Sequence, residues 1–245
     1  MIDLNFNNTS VIIMAGGKGT RLQPLTAVFP KPLVPLGNRT VLEIFLRRLA
    51  ICRLTNITIC TGHLSELLMA VFGNGAQLGL NISYSHEKTP LGTAGPLANI
   101  NNLSDPFLVM NGDLLTTLNF TNLLFYHIEN KAAITLGTFS RDVKIDFGVI
   151  ELDEGGEFFG FHEKPTYHFE VSMGVNVLSR SVLNHIIPGT YLDMPTLVTN
   201  IHHEGGKICC YRENCYWLDI GRMDDYGIAQ EQFTKNEKMF FGETT

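Results

Sequence analysis

A glycine-rich loop directly after the first apolar run constrains this 245-residue chain more than any other feature. The run, Ser10–Met14, is short, β-branched and uncharged, and it ends in Ala15-Gly16-Gly17-Lys18-Gly19-Thr20-Arg21. This pattern predicts a buried parallel strand that feeds a turn. Three glycines in four positions let backbone N–H groups approach a ligand without interference from Cβ atoms. With Lys18 and Arg21 beside them, they favour an anion, most naturally a polyphosphate.

The loop matches neither of the two common phosphate-binding patterns. No Gly-Lys-Ser/Thr follows at the spacing of a P-loop, and Leu22 stands where a dinucleotide fingerprint has its third glycine. A plain glycine turn between strand and loop remains the alternative. Against it, the chain continues through prolines at 24, 30, 32 and 35, which exclude a regular helix. A stiff irregular segment of this length is usually functional, and this one carries a cation, Lys31.

Apolar periodicity predicts an α/β fold for the first part of the chain. A helical stripe covers residues 41–50, and strand-like runs follow at 56–60, 80–84 and 106–110. Strands that alternate with helices imply right-handed crossovers and a mainly parallel, Rossmann-like sheet flanked by helices. Between residues 147 and 178, short apolar runs joined by turns predict a small antiparallel excursion. We expect one domain over residues 1–245, with halves at about 10–140 and 141–225.

Two further segments follow predicted strands, at the edge where open α/β sheets bind ligands. The first, residues 87–97, is rich in glycine and proline, and it also fits a helix with Thr93 as its cap and Pro96 in its first turn. The second is Asn111-Gly112-Asp113. Asp113 can cap a turn, or it can hold a hard cation such as Mg²⁺, which prefers carboxylate and phosphate oxygens. The anion-type loop on the first strand favours the cation.

Composition excludes several classes of protein. A net charge of −6 and a pI near 5.7 disfavour a general nucleic-acid binder, which normally has a basic face. No apolar run approaches the roughly 18 residues of a membrane span, and the polar N-terminus predicts no signal peptide. Five cysteines without a C-x-x-C pair predict reduced thiols in a cytoplasmic protein rather than a zinc site. The sequence leaves homo-oligomerisation open.

Two segments taken together resemble the signature of a known family. Ala15-Gly16-Gly17-x-Gly19-Thr20-Arg21-Leu22-x-Pro24-Leu25-Thr26 and Pro30-Lys31-Pro32-Leu33 are similar to the motifs of sugar-1-phosphate nucleotidyltransferases. The form Leu-Gly-Thr-Ala-Gly-Pro-Leu at residues 91–97 most resembles the guanylyltransferases that act on mannose-1-phosphate. The resemblance implies transfer of a nucleotidyl group from an NTP, with GTP favoured, to a sugar-1-phosphate, with Mg²⁺ as cofactor. The product would be a precursor of polysaccharides or glycoconjugates, and we expect no C-terminal β-helix of the kind some members carry.

The resemblance also implies roles for individual residues. The nucleotide, including its base, is assigned to the first half of the chain, at Ala15, Gly16, Gly17, Gly19, Thr20, Arg21, Glu87, Gly92, Asn111 and Gly112. Catalysis is assigned to three cations, Arg21, Lys31 and Lys164. The sugar phosphate is assigned to Lys31, Gly148, Glu163, Lys164 and Gly174, and Mg²⁺ to Asp113 and Asp219. In this scheme the Glu87 carboxylate accepts hydrogen bonds from guanine N1–H and N2–H, a pair that uracil and thymine do not offer.

One departure from the family pattern leaves the sugar undetermined. Ser172-Met173-Gly174 stands where related enzymes often have Asn-Ala-Gly, so an amide that would contact sugar hydroxyls is absent at that position. Two other functions also remain. A regulatory paralogue would be expected to lack at least one of the implied charged residues, and all of them are present. A metal-dependent glycosyltransferase would need Asp-x-Asp where this chain has Asn111-Gly112-Asp113.

Overall fold

The structure, a computed structural model, describes residues 6–17, 19–62 and 64–241. The strands are β1 (Ser10–Met14), β2 (Pro35–Leu36), β3 (Arg39–Thr40), β4 (Asn56–Thr61), β5 (Asn81–His86), β6 (Phe107–Asn111), β7 (Leu114–Thr116), β8 (Ile134–Lys144), β9 (Val149–Leu152), β10 (Phe158–His162), β11 (Thr166–Leu178), β12 (Ile208–Arg212) and β13 (Trp217–Asp219). The α-helices are α1 (Val41–Ile51), α2 (Ser65–Phe72), α3 (Phe120–Asn130), α4 (Met194–His203) and α5 (Met223–Phe240). The proline-rich segment forms only single 3-10 turns, at Thr20–Leu22, Leu25–Ala27 and Lys31–Leu33.

A seven-stranded mixed sheet forms the centre of the fold, in the order β12-β8-β11-β6-β1-β4-β5. β1 lies between β6 and β4 and is parallel to both, and β5 is parallel to β4. β11 runs antiparallel to β6 and to β8, while β12 is parallel to β8. This arrangement confirms the predicted α/β class, with its mainly parallel sheet and an antiparallel portion after β6.

The central strands β1 and β6 are buried on both faces, which explains why they are continuous apolar runs rather than alternating ones. Val11, Ile12 and Ile13 of β1 are fully buried. Val11 and Ile13 pack with apolar residues of α1, α2 and α3, whereas Ile12 belongs to the opposite core under α4. α1 begins where the Thr40 hydroxyl accepts a hydrogen bond from the backbone N–H of Glu43, 3.2 Å away.

Two β-ribbons extend beyond the central sheet and form the predicted antiparallel excursion. β8 and β11 pair from Thr138–Ser172 out to Lys144–Thr166, and β9 pairs with β10. β11 already begins at Thr166, because the alternating residues 166–170 continue the strand outward from the sheet. The ribbons expose several large apolar side chains, among them Phe147 and Phe159, each 77% exposed.

The segment at residues 87–97 leads into a helix with Pro96 in its first turn, as one interpretation of the sequence predicted, but Thr93 is not its cap. It contains only a 3-10 helix, Gly95–Asn99, for which Ala94 occupies the capping position without a side-chain bond. Thr93 instead accepts a hydrogen bond from the backbone N–H of Met194, 2.8 Å from its Oγ1, at the first residue of α4. The loop is thereby attached to a helix about a hundred residues later in the chain.

Within the described ranges, no helix combines the length and the apolar character needed to cross a membrane.

Candidate active site

The residues that follow β1, β4 and β6 lie side by side at the carboxyl edge of the sheet. The Ala15 N–H donates to the Cys60 carbonyl at 2.9 Å, and the Gly112 N–H donates to the Met14 carbonyl at 3.0 Å. These bonds place the start of the glycine-rich loop between the ends of β4 and β6. This edge is where open α/β sheets bind their ligands.

Two glycines of the loop, Gly16 and Gly19, are required by the structure for different reasons. A Cβ on Gly16 would lie 3.0 Å from Oε1 of Glu87, so the small residue permits close approach of two loops. Gly19 has φ +62° and accepts a 2.7 Å bond from the Thr26 hydroxyl, which ties the loop to the proline-rich segment. Gly17 faces open space, and Thr20 begins the exposed 3-10 turn that carries Arg21. Lys18 lies outside the described residues.

Lys31 lies between the two predicted metal ligands. Its ammonium forms an ion pair with Oδ2 of Asp113 and lies 3.9 Å from Oδ1 of Asp219. The Lys31 side chain is only 13% exposed, so the proline-rich segment directs a nearly buried cation at the carboxyl edge of the sheet. Since Pro30 precedes it and Pro32 follows it, the backbone that carries Lys31 has little conformational freedom.

The structure brings Asp113 and Asp219 together from segments about a hundred residues apart. β13 pairs antiparallel with β7, with Asp219 opposite Leu114, and the Ile220 N–H donates to the Asp113 carbonyl at 3.1 Å. Burial, and then the nearby charge of Asp113, raise the pKa of the Asp219 carboxyl, while Lys31 and Arg21 act in the opposite direction. Two acidic groups and two cations therefore share one site.

This pair of carboxylates suits a hard divalent cation. Oδ1 of Asp113 and Oδ1 of Asp219 are buried and have no hydrogen-bond partner within the described chain. Magnesium is commonly held in proteins by one or two carboxylates together with substrate phosphates and water. The two orphaned oxygens therefore fit Mg²⁺, and the ligands that the protein does not supply would come from the substrates.

The Arg21 guanidinium lies near Asp219 and Asp225, around Gly221. A Cβ on Gly221 would lie 3.6 Å from Oδ1 of Asp219, 3.7 Å from Oδ2 of Asp225 and 3.8 Å from Nη2 of Arg21. Gly221 thus occupies the space between the guanidinium and the two acids. The glycine-rich loop thus contributes a cation beside the metal-type site.

A cavity of about 630 Å³ extends from Asp219 between the sheet and α4. Its lining residues include Thr93, Val109, Met110, Asn111, Leu136, Ser172, Met173, Gly174, Asn176, Met194, Pro195, Val198, Thr199, Trp217 and Asp219. Apart from Asp219, these side chains are neutral, and many are apolar. The cavity suits a small organic group attached to an anion at the carboxylate end.

Two contacts shape the wall of this cavity. Gly174 has φ +70°, and a Cβ there would come within 2.6 Å of Nδ2 of Asn111, so the glycine lets the amide approach the backbone of β11. The indole Nε1 of Trp217 donates to the carbonyl of Met173 at 2.9 Å. Both predicted residues, Asn111 and Gly174, therefore lie at the cavity, next to the strand that carries Asp219.

Glu87 and Gly92 support the loop that was predicted to contact the base. One Glu87 oxygen accepts a 2.9 Å bond from the Leu91 N–H, and the other lies beside Gly16. Burial raises the pKa of the Glu87 carboxyl. Gly92 has φ +81°, and a Cβ there would collide with the Leu192 carbonyl. In the free protein, then, Glu87 closes its own loop with one oxygen, and Gly92 packs against the segment before α4.

Three predicted sugar-phosphate residues lie apart from the carboxylate pair, at the β-ribbons. A Cβ on Gly148 would collide with the Phe161 ring and lie 3.3 Å from Oε2 of Glu163. The Lys164 ammonium is 3.9 Å from Oε1 of Glu163, and both side chains are more than half exposed. Lys164 also has φ +45°, an uncommon conformation for a residue with a side chain. Within the described chain, the ion pairs of Glu163 and Lys164 do not include Lys31, Asp113 or Asp219.

α4 and Asn176 contribute to the cavity although neither was predicted as part of the site. Met194, Pro195, Val198 and Thr199 of α4 form one wall of the cavity. No local pattern links this helix to the sheet edge, because the link is the long-range bond from Met194 to Thr93. Asn176 could have been noticed, since a lone amide interrupts the apolar run Val175-Asn176-Val177-Leu178.

The chain is similar in sequence to a protein family and to several curated proteins. The family model described as nucleotidyl transferase matches residues 10–236. A mannose-1-phosphate guanylyltransferase of Mycobacterium tuberculosis is 32% identical over 228 residues, which are 90% of this chain and 63% of that protein. A UTP–glucose-1-phosphate uridylyltransferase of Synechocystis is 29% identical over 238 residues, 89% of this chain and 61% of that protein. The chain thus spans a little over three fifths of the length of these curated relatives.

Solved structures show the same fold. The crystal structure of HddC from Yersinia pseudotuberculosis superposes with a TM-score of 0.73 at 21% identity, covering 92% of this chain and 99% of that one.

Proposed function

The chain belongs to the nucleotidyl transferase family, and from this premise we propose that it transfers a nucleotidyl group from an NTP to a sugar-1-phosphate, releasing pyrophosphate and forming an NDP-sugar. The observation that carries the proposal is the convergence of Lys31, Asp113 and Asp219 beside the glycine-rich loop, at the end of a cavity with neutral walls. The charged edge of the sheet suits the phosphate groups of the two substrates, and the neutral pocket suits the sugar ring.

The proposed chemistry needs charge stabilisation more than proton transfer. A sugar phosphate is already ionised at neutral pH, so its oxygen can attack the α-phosphorus while the bond to the β-phosphate oxygen breaks. The main barrier is the approach of two polyanions and the charge that develops at the α-phosphate. Lys31 would neutralise the sugar phosphate, and Arg21 would bind the triphosphate and favour departure of pyrophosphate.

Magnesium is the cofactor that we propose for this reaction. Asp113 and Asp219 would hold it through the carboxylate oxygens that accept no hydrogen bond from the described residues. When bound, the ion supplies a doubly positive charge to phosphate oxygens at the α-position. Lys31 already compensates both carboxylates in the free protein, so its ammonium would be free to turn toward phosphate when the cation arrives.

We further propose that the protein prefers GTP and works in the cytoplasm. The support for GTP is the form of the loop at residues 91–97 and the position of Glu87 beside Gly16, within reach of the nucleotide loop. The similar proteins include both guanylyl and uridylyl enzymes, so the base is a prediction specific to this chain. The support for the cytoplasm is that all five cysteines are free thiols.

Pyrophosphate release tests the proposal. The purified protein is incubated with Mg²⁺ and a grid of NTPs against sugar-1-phosphates, with each substrate omitted in turn. Release that needs both substrates is expected, and it should be fastest with GTP. Release from NTP alone, or none with any pair despite a folded protein, would contradict the proposed reaction.

A further inference from the structure

A single amide lies buried in the floor of the cavity. Asn176 of β11 is only 5% exposed. Its neighbours across the sheet are Val109 on β6 and Leu136 on β8, and all three line the cavity. Oδ1 of Asn176 is buried, and no described residue offers it a hydrogen bond.

An amide in this position is unfavourable for the protein alone. The oxygen loses its water on folding and gains no donor in exchange, which costs free energy. The flanking residues Val175 and Val177 show that the strand accepts aliphatic side chains, and both of these face the opposite core. Asn176 faces the cavity, where a ligand can supply the missing donor. A buried polar atom without a partner in a native structure calls for such an explanation.

The rest of the lining restricts the chemistry of that ligand. Asp219 is the only ionisable side chain among the cavity-lining residues that the structure describes. Met194 and Val198 of α4 present apolar surface on the wall that faces the sheet. A second anionic group on the sugar, such as a carboxylate, would lose its hydration here and meet no cation. A neutral ring substituent that donates one hydrogen bond and otherwise presents C–H surface fits the lining.

We propose that Asn176 is a specificity-determining residue of the sugar site. Its Oδ1 accepts a hydrogen bond from a hydroxyl or acylamino N–H on the sugar ring, and the cavity takes sugar-1-phosphates without a second anionic group. This inference rests on the proposed function, because it assumes that the cavity beside Asp219 holds the sugar. Asn176 would supply an amide to the sugar site from a position four residues beyond Ser172 on the same strand, whereas the family pattern has its asparagine at position 172.

The test compares Asn176→Leu, which has the same side-chain branching without polar atoms, with Thr135→Val. Thr135 is a buried residue on the neighbouring strand β8 whose hydroxyl bonds to His127 on the far side of the sheet. We expect Asn176→Leu to lower kcat/KM for the best sugar-1-phosphate about tenfold while the KM for the NTP stays near wild type. The melting temperature of the free protein should rise, because the variant no longer buries an oxygen without a donor. Thr135→Val should lower the melting temperature and leave kcat/KM unchanged. Asn176→Ala, which cannot overpack the site, serves if the leucine variant does not fold.

A series of monodeoxy sugar-1-phosphates identifies the group that Asn176 contacts. Wild type should lose about tenfold in kcat/KM with one member of the series, and Asn176→Leu should show no loss with that same member. A uronic-acid 1-phosphate should be used at least tenfold less well than the neutral sugar of the same ring configuration.

The failure of this inference can be told from the failure of the proposed function. If wild type is active but Asn176→Leu and Asn176→Ala keep its kcat/KM and its response to every deoxy sugar, Asn176 is structural and the inference falls alone. If wild type binds a sugar-1-phosphate by calorimetry without turnover, the proposed reaction falls, and the same comparison of variants is made on Kd. If wild type neither turns over nor binds any sugar-1-phosphate, both fall.

Discussion

The backbone N–H of Ile220 donates a 3.1 Å hydrogen bond to the carbonyl oxygen of Asp113. Through this bond and the pairing of β13 with β7, two carboxylates remote in sequence lie beside one lysine. Because the contact is made by the backbone, it does not depend on the charge of either side chain. The side chains can therefore be changed without loss of the arrangement that brings them together.

Changing either carboxylate to an amide should abolish turnover and preserve the fold. Asp113→Asn or Asp219→Asn keeps the shape of the side chain but weakens the hold on a hard cation, so we expect at least about a 100-fold loss in kcat with Mg²⁺. The circular dichroism spectrum should match wild type. Asp224→Asn, an exposed acid at the start of α5, is the control and should retain activity. Near-normal magnesium-dependent turnover in either site variant would show that the two aspartates do not form a required metal site.

Replacing Lys31 should make the thermal stability of the protein depend more strongly on divalent cations. In Lys31→Met, Asp113 and Asp219 lose the cation that compensates them, so Mg²⁺ binds without displacing an ammonium. A tenfold gain in Mg²⁺ affinity would add about 1.4 kcal/mol at saturating concentrations, or about 3–5 °C in melting temperature. Melting curves with and without Mg²⁺ measure this. An equal Mg²⁺ shift in wild type and variant would show that Lys31 and the cation do not share the site.

Loss of Lys164 should chiefly weaken use of the sugar phosphate. A charge-assisted hydrogen bond to phosphate contributes about 1.5–3 kcal/mol, so Lys164→Ala should raise the KM for the sugar-1-phosphate at least about tenfold and leave the KM for the NTP near wild type. Lys144→Ala removes an exposed lysine from the same ribbon and serves as the matched control. Unaltered apparent affinity for the sugar phosphate in Lys164→Ala would overturn the assignment.

Buried His127 should make the protein less stable in acid. Its Nε2 lies 3.1 Å from the Ser179 hydroxyl, which donates to the Ala132 carbonyl, and its Nδ1 lies 2.9 Å from the Thr135 hydroxyl. These bonds suit a neutral ring, and burial lowers the pKa of His127 to about 4. Between the pKa of an unfolded histidine, about 6.5, and about pH 4, His127 is protonated in the unfolded chain and neutral in the native protein.

The free energy of unfolding should therefore fall by about 3 kcal/mol from this residue alone as the pH drops through that window. Urea unfolding at several pH values measures the fall, and His127→Gln should show a smaller one than wild type. His203→Gln, which removes an exposed histidine of α4, is the control. Parallel pH profiles for wild type and His127→Gln would contradict this account.

The sequence predicted the middle of the sheet well, because β1 and β6 are buried on both faces. A strand such as β1, apolar on both faces and ended by glycine, has few alternatives, and the predicted α/β class is confirmed. The ribbons were harder to predict. Tyr167 and Phe169 alternate with polar residues, as in a strand, but both side chains are exposed in the structure. Because this part of β11 does not pack on the core, a continuous apolar run does not indicate where the strand begins.

Sequence could predict only those residues of the candidate site that belong to short local motifs. Lys31 and Asp113 stand in short motifs, and their proximity follows once β1 and β6 are neighbours in the sheet. The internal bond from Glu87 to Leu91 and the attachment of Thr93 to α4 depend on loop geometry that periodicity does not encode. The roles of the individual residues stay predictions, and the experiments above decide them.

The most direct test of nucleotidyl transfer follows the α-phosphate itself. The protein is given Mg²⁺, a sugar-1-phosphate and GTP labelled at the α-phosphorus, and the products are separated. We predict that the label passes into an NDP-sugar in the same molar amount as unlabelled pyrophosphate is released, only when the sugar-1-phosphate is present, and not with Asp113→Asn. Label recovered as GMP or GDP, at a rate that does not depend on the sugar phosphate, would contradict the account.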